Sequence, residues 1–213
     1  MHDLDDQPLV VVDVETTGLS ANFGDRVCEV GIVRAQGDTI LDTFQTLVNP
    51  QRPISPGAAR VNGLSDEDVC TAPRFAEIAG QVLERIDGAL LLCHNAPFDV
   101  GFLDAEMARL RQSWHPSGVI DTLEIARSYF SFSSNSLPAV AARLGIRTPQ
   151  AHRALGDALT TLQVFRKLYG QLAARERYVS RELVSNYRPA AFEMEDVVLP
   201  PEIQEALAAN QPL

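Results

Sequence analysis

The chain has 213 residues, with 18 lysines and arginines against 28 aspartates and glutamates, a formal charge of −10. That length suits one domain, or one domain with an appendage, and 46% hydrophobic with 22% charged residues excludes a disordered or fibrous chain. No apolar run approaches the roughly 20 residues of a membrane helix, residues 1–6 are acidic where a secretory signal is basic, and three cysteines without CxxC spacing read as thiols in a reducing compartment.

The expectation is a cytoplasmic protein with no membrane partner. Its negative charge gathers at the ends: Asp3, Asp5 and Asp6 at one, and Glu193, Glu195, Asp196, Glu202 and Glu205 at the other. Residues 7–188 hold 20 acids against 18 bases. Lys167 is the only lysine, so the other cations are arginines, the side chain suited to bidentate phosphate contact. This balance argues against extended electrostatic binding of duplex DNA. It weakens the case for a nucleic-acid partner without excluding one.

Residues 8–15 form a β-branched run that is apolar on both faces, closed by Thr16-Thr17-Gly18. Such a strand is expected at the centre of its sheet. Residues 27–35 and 39–48 predict two further strands, joined by a hairpin turn at Gln36-Gly37-Asp38. Pro50, Pro53 and Pro56 mark a loop. Pro73 opens a helix with Phe75, Ile78, Ala79, Val82, Leu83 and Ile86 on one face, Gly88 stops it, and residues 89–93 are a short apolar strand. Pro97 suits the first turn of a helix reaching about Arg111. Val119-Ile120 predicts a brief strand. Helices follow at 122–130, 137–144 and 153–171, with a Ser/Asn-rich, mobile connection at 131–136. Three leading strands and then strand–helix units describe an α/β sandwich, a mixed central sheet flanked by helices. A domain is expected over residues 1–174. Residues 175–213 read as an acidic extension with one short helix after Pro200-Pro201.

Asp13 and Glu15, at i and i+2 on a strand, share one face, while Val10, Val12 and Val14 take the other. Two carboxylates buried side by side cost several kcal/mol unless a cation neutralises them. A solvated strand end is the plainer alternative, and the tight Thr-Thr-Gly turn with its free amides favours a site. Asp99 falls in the first turn of the Pro97 helix, where the helix dipole alone would explain it. Its context, His94-Asn95-Ala96-Pro97-Phe98-Asp99, lies at the C-terminal end of a buried strand, where ligand sites of α/β sheets gather. His94 reads as structural. Gly156-Asp157 interrupts the apolar pattern of the last helix, and both are poor helix formers there. Asp121 with Glu124 three residues on is explained by a capping box, so neither is taken as a ligand.

Together, Asp13-Val14-Glu15-Thr16-Thr17-Gly18, His94-Asn95-Ala96-Pro97-Phe98-Asp99 and His152-Arg153-Ala154-Leu155-Gly156-Asp157 resemble, in order and interval, the three motifs of the DEDDh (DnaQ-like) 3′→5′ exonuclease family. The likeness spans about residues 8–172. It implies a ribonuclease-H-like fold and two divalent cations, Mg²⁺ or Mn²⁺, for which four carboxylates are suitable hard ligands. Carried over, Asp13 would bridge the ions, Glu15 and Asp157 would hold the one presenting the nucleophilic water, and Asp99 would support the second. His152 would be the general base. The same likeness puts Thr16, Thr17, Gly18, Leu64, Asn95 and Phe98 at the substrate, with Arg147 and Arg153 as candidates for phosphate. Asn62-Gly63-Leu64 departs from the family's more usual His-Gly-Ile. The implied activity is release of nucleoside 5′-monophosphates from single-stranded or frayed DNA 3′ ends in proofreading or repair. RNA trimming is the alternative within the family, and a non-catalytic scaffold or binding subunit the distant one. A DNA polymerase subunit, held through residues 175–213, is the implied protein partner.

Overall fold

A computed structural model of the chain describes Leu4 and residues 7–148, 152–174 and 183–185. In chain order the elements are β1 (Leu9–Thr16), a 3₁₀ turn (Ala21–Phe23), β2 (Val27–Gln36), β3 (Thr39–Leu47), α1 (Pro56–Asn62), α2 (Asp66–Val69), α3 (Phe75–Ile86), β4 (Leu90–Cys93), α4 (Ala96–Arg109), β5 (Gly118–Asp121), α5 (Thr122–Tyr129), α6 (Leu137–Arg143) and α7 (Ala154–Ala174). The strands form one mixed sheet in the order β3-β2-β1-β4-β5. β1 pairs antiparallel with β2 and parallel with β4, and so takes the central place its composition demands.

That central strand divides the core. Val10, Val12 and Val14 point into a cluster with Phe75, Ile78, Val82 and Ile86 of α3 and Val100, Phe102 and Leu103 of α4. Leu9 and Val11 point the other way, to Leu162, Phe165 and Leu168 of α7. Continuing the second row, period two puts Asp13 and Glu15 on the face covered by α7. Among the described residues no helix is long and apolar enough to cross a membrane.

The loop expected around Pro50–Pro56 is only partly a loop. Ser55 caps α1, its hydroxyl accepting the Ala58 N–H, and Ser65 and Asp68 form a capping box on α2. These are short helices set by caps rather than by an apolar stripe, so periodicity passes over them. Residues 183–185 add to the edge of the sheet: Ser185 exchanges both backbone hydrogen bonds with Val119 of β5, at 3.0 and 3.1 Å, and Leu183 is buried in the α7-side core. The helix expected after Pro200-Pro201 lies outside the described residues.

The start of α7 meets the sheet at Gly31, the β2 partner of Asp13. A β-carbon at Gly31 would stand 2.3 Å from the Ala154 carbonyl carbon and the Leu155 nitrogen, so two backbones touch where no side chain fits. Gly31→Ala is therefore expected to destabilise the fold by about 1–3 kcal/mol through overpacking. Chemical denaturation will check it, and an unchanged midpoint would contradict the contact.

Candidate active site

Asp13, Glu15 and Asp157 each bring a carboxylate oxygen within 4.8 Å of the others. Two come from β1, and the third from the first turn of α7. Asp99 is not part of that trio. It is 3% exposed on α4, and its Oδ1 accepts the Val14 N–H at 3.0 Å, which fastens it to β1 between Asp13 and Glu15. Among the described residues no lysine or arginine ion pair reaches any of the four.

The electrostatics follow from that crowding. Asp13 is driven well above the usual carboxylate range, first by burial and then by the charges of Asp99, Glu15, Asp157 and Glu29. Glu15 is pushed up to about 7 by burial, then by Asp157 and Glu29, against the pull of Arg153. Burial also raises Asp99, opposed by the Val14 N–H, and raises Asp157, opposed by the His152 N–H. Oxygen-only donors carrying unbalanced negative charge are what a hard divalent cation requires. Asp13, Glu15 and Asp157 fit such an ion on chemistry and placement, and Asp99 on chemistry alone.

His152 is exposed, with φ of 63°, and its backbone N–H donates to Asp157 Oδ2 at 3.1 Å. The strained turn brings His152 beside the trio. Thr16 and Thr17 are buried, and their hydroxyls bond inward, Thr16 Oγ1 to the Gly18 carbonyl at 2.6 Å and Thr17 Oγ1 to Asp25 at 3.2 Å. A β-carbon on Gly18 would meet the Asp25 carboxylate at 2.3 Å, so any larger residue would have to push Asp25 off its bonds to Thr17 and Ser20.

Leu64 is 6% exposed and packs with Cys28, Ile54 and Val69. The neighbouring Asn62 is buried as well, its amide donating to the Thr16 carbonyl at 3.2 Å and its oxygen accepting the Leu64 N–H at 2.9 Å. Asn95 is left-handed, with φ of 78°, and the Phe98 and Phe102 rings meet tilted at 52°, their centroids 4.9 Å apart. His94 uses both ring nitrogens structurally, on Thr122 Oγ1 at 2.8 Å and on the Asn135 carbonyl at 2.9 Å, which ties down the 131–136 connection.

Two residues do more than their sequence context suggests. Asp121 caps α5 through the Leu123 N–H at 2.8 Å, and the same carboxylate accepts the N–H groups of Asn95 and Ala96 at 2.9 and 3.1 Å. It thereby shapes the turn that delivers Asp99. Glu29, opposite Glu15 in the antiparallel register, is fully buried and accepts from Arg153 Nη2 at 2.8 Å, from Arg153 Nε at 3.1 Å, from Gln45 at 2.7 Å and from the Ala154 N–H at 3.2 Å. Arg153 is thus bound to Glu29, and Arg147 is exposed.

A family profile described as Exonuclease (RNase_T) matches residues 10–165, a span that holds every one of these acids. The chain belongs to this exonuclease family. Across 212 residues it is 34% identical to the DNA polymerase III subunit epsilon of Pasteurella multocida, a match covering 96% of this chain and 80% of that one. It is 38% identical over 164 residues to the PolC-type DNA polymerase III of Caldanaerobacter subterraneus, covering 76% of this chain and 12% of the relative. Against PolC-type relatives, then, it spans a small part of their length. Exonuclease X in complex with 5′ overhanging duplex DNA shares its fold, at a TM-score of 0.61 and 22% identity, covering 82% of this chain and 96% of that one. The ribonuclease-H-like architecture and the DEDDh resemblance are both borne out.

The raised carboxylates have a consequence for stability. An acid whose folded pKa exceeds its unfolded one makes the folded state bind more protons, so stability falls as pH rises between the two values. For Glu15 that window runs from 4.5 to about 7. The metal-free protein should therefore melt lower at pH 7 than at pH 5.5, and Mn²⁺ should reverse the trend. Asp13→Asn should raise the metal-free melting temperature, each 1 kcal/mol of relieved repulsion being worth about 2–4 °C. Thermal melts with and without chelator test both.

Proposed function

We propose that the chain is a metal-dependent 3′→5′ exonuclease that releases nucleoside 5′-monophosphates from single-stranded or frayed DNA ends. The observation that carries this reading is the convergence of Asp13, Glu15 and Asp157 within 4.8 Å, with Asp99 bonded to the strand between the first two. Two divalent ions bound there would supply an activated water and relieve charge on the leaving 3′ oxygen.

The chain's own groups supply the rest. Asp13, Glu15 and Asp157 would hold the ions and Asp99 would support them. His152, exposed and joined to Asp157 through its backbone N–H, is the group we assign to accept the proton of the attacking water. A contact of Thr16-Thr17 with the terminal 3′-OH would fall to carbonyls that already accept from Asn62 and Ser55, since the Thr17 N–H donates to the Arg26 carbonyl. Phe98, partly buried in the first turn of α4, is the residue there that we assign to meet terminal bases. The similarity to a polymerase III epsilon subunit over nearly the whole chain supports a cytoplasmic proofreading role, with residues 175–213 as the polymerase-binding segment.

Degradation of 3′-labelled single-stranded DNA and RNA, with Mg²⁺, Mn²⁺ or chelator, is the deciding assay. The expected result is metal-dependent mononucleotide release, faster on DNA. Asp13→Ala should abolish it in a folded protein, and residual wild-type activity in Mn²⁺ would refute the ligand assignment. His152→Ala should slow it by roughly 10²–10⁴-fold, the usual contribution of a general base. A pH–rate profile identical in mutant and wild type would reject His152 as that base. A chain cut after Ser185 keeps the pairing with β5 and should retain full activity on short single strands. Loss of activity in that folded, shortened chain would instead place the tail in the active site.

A further inference from the structure

We propose that Glu29 is a positioning residue for this site: by gripping Arg153 and the first amide of α7, it sets where His152 and Asp157 stand relative to Asp13 and Glu15. The inference rests on reading the four carboxylates as a divalent-cation site.

The geometry gives α7 two attachments to β2 at its first turn. One is steric, the backbone contact at Gly31. The other is ionic, and its direction is fixed: Glu29 is fully buried, and its two oxygens receive the Arg153 fork, the Gln45 amide and the Ala154 N–H. Arg153 lies between the left-handed His152 and the start of the helix, and Asp157 follows one turn later. A shift at Arg153 is therefore carried to the proton acceptor on one side and to a carboxylate on the other.

Electrostatics alone would not select this arrangement. A fully buried carboxylate is costly, and a buried ion pair is often matched in stability by apolar residues of similar volume. Glu29 also adds negative charge beside Glu15 and Asp157, where repulsion is already concentrated. The directed hydrogen bonds are what it provides. They also account for arginine at 153, since a lysine has no planar fork to meet both oxygens of one carboxylate.

The test uses the full chain and two readouts, Mn²⁺ affinity by calorimetry and steady-state hydrolysis of a single-stranded oligonucleotide. Arg153→Lys keeps the charge and loses the fork. We expect Mn²⁺ binding and kcat each to weaken by about 10–100-fold, the usual effect of disturbing groups that orient metal ligands, with KM unchanged. A rise in KM alone would mean that Arg153 contacts substrate phosphate, and would overturn the proposal. Wild-type metal affinity and kcat in Arg153→Lys would overturn it too, because they would reduce the pair to charge compensation. The double variant Glu29→Gln/Arg153→Met removes the ion pair, whose glutamate is buried and whose arginine is half-exposed, and guards against a misfolded single variant. It should melt near wild type and still show both losses, and wild-type function in it would refute the positioning role. A wild-type chain that neither binds Mn²⁺ nor hydrolyses any strand would sink the functional reading itself. Binding and hydrolysis unaffected by these substitutions would sink only the role of Glu29.

Discussion

Carboxylates gathered at one end of a sheet, without a lysine or arginine paired to them among the described residues, repel one another, and the surrounding structure has to hold them against that repulsion. It does so mainly with backbone. The Val14 amide holds Asp99, the His152 amide holds Asp157, and strand geometry alone keeps Asp13 and Glu15 on one face. Neutralising them with arginines would have stabilised the folded chain and removed the negative charge that a cation would need. The acids thus remain strained in the free protein, and their raised pKa values express that strain.

A hierarchy of supports follows. Asp121 accepts three backbone amides, one from its own helix and two from the turn before α4, and so connects the β5 end to the turn that carries Asp99. Asp25 plays a comparable part in the turn after β1, where it accepts the Ser20 amide at 3.1 Å and the Thr17 hydroxyl at 3.2 Å, bonds that a residue larger than glycine at 18 would disturb. Asp99 and the turn after β1 are thereby each placed by another acid whose work is structural.

Much of this was legible in the amino-acid order. β1 is apolar on both faces and proved central, and the three motifs marked the acids that meet. What the order hid has physical causes. α1 and α2 are too short to develop a periodic stripe, and only their Ser caps betray them. Glu29 reads as one acid in an otherwise apolar strand. Its flanking residues, Cys28 and Val30, are as buried as it is, which alternation along a half-exposed strand would not allow. That discord was a usable signal, though its partner lies 124 positions away and becomes visible only in three dimensions. Asp121 was identified as a cap from local spacing, and its second task depends on a turn from a different strand.

The pairing of Ser185 with Val119 has a consequence outside chemistry. β5 closes one side of the sheet with a row of backbone donors and acceptors, and such an edge recruits strands from other molecules unless something covers it. Val184 presses on Gly118, where even a β-carbon would stand 2.4 Å from its methyl, and Leu183 sinks into the core beside it. A segment that returns from beyond α7 to lie there takes up the edge at Val119, where a strand from another molecule would otherwise pair.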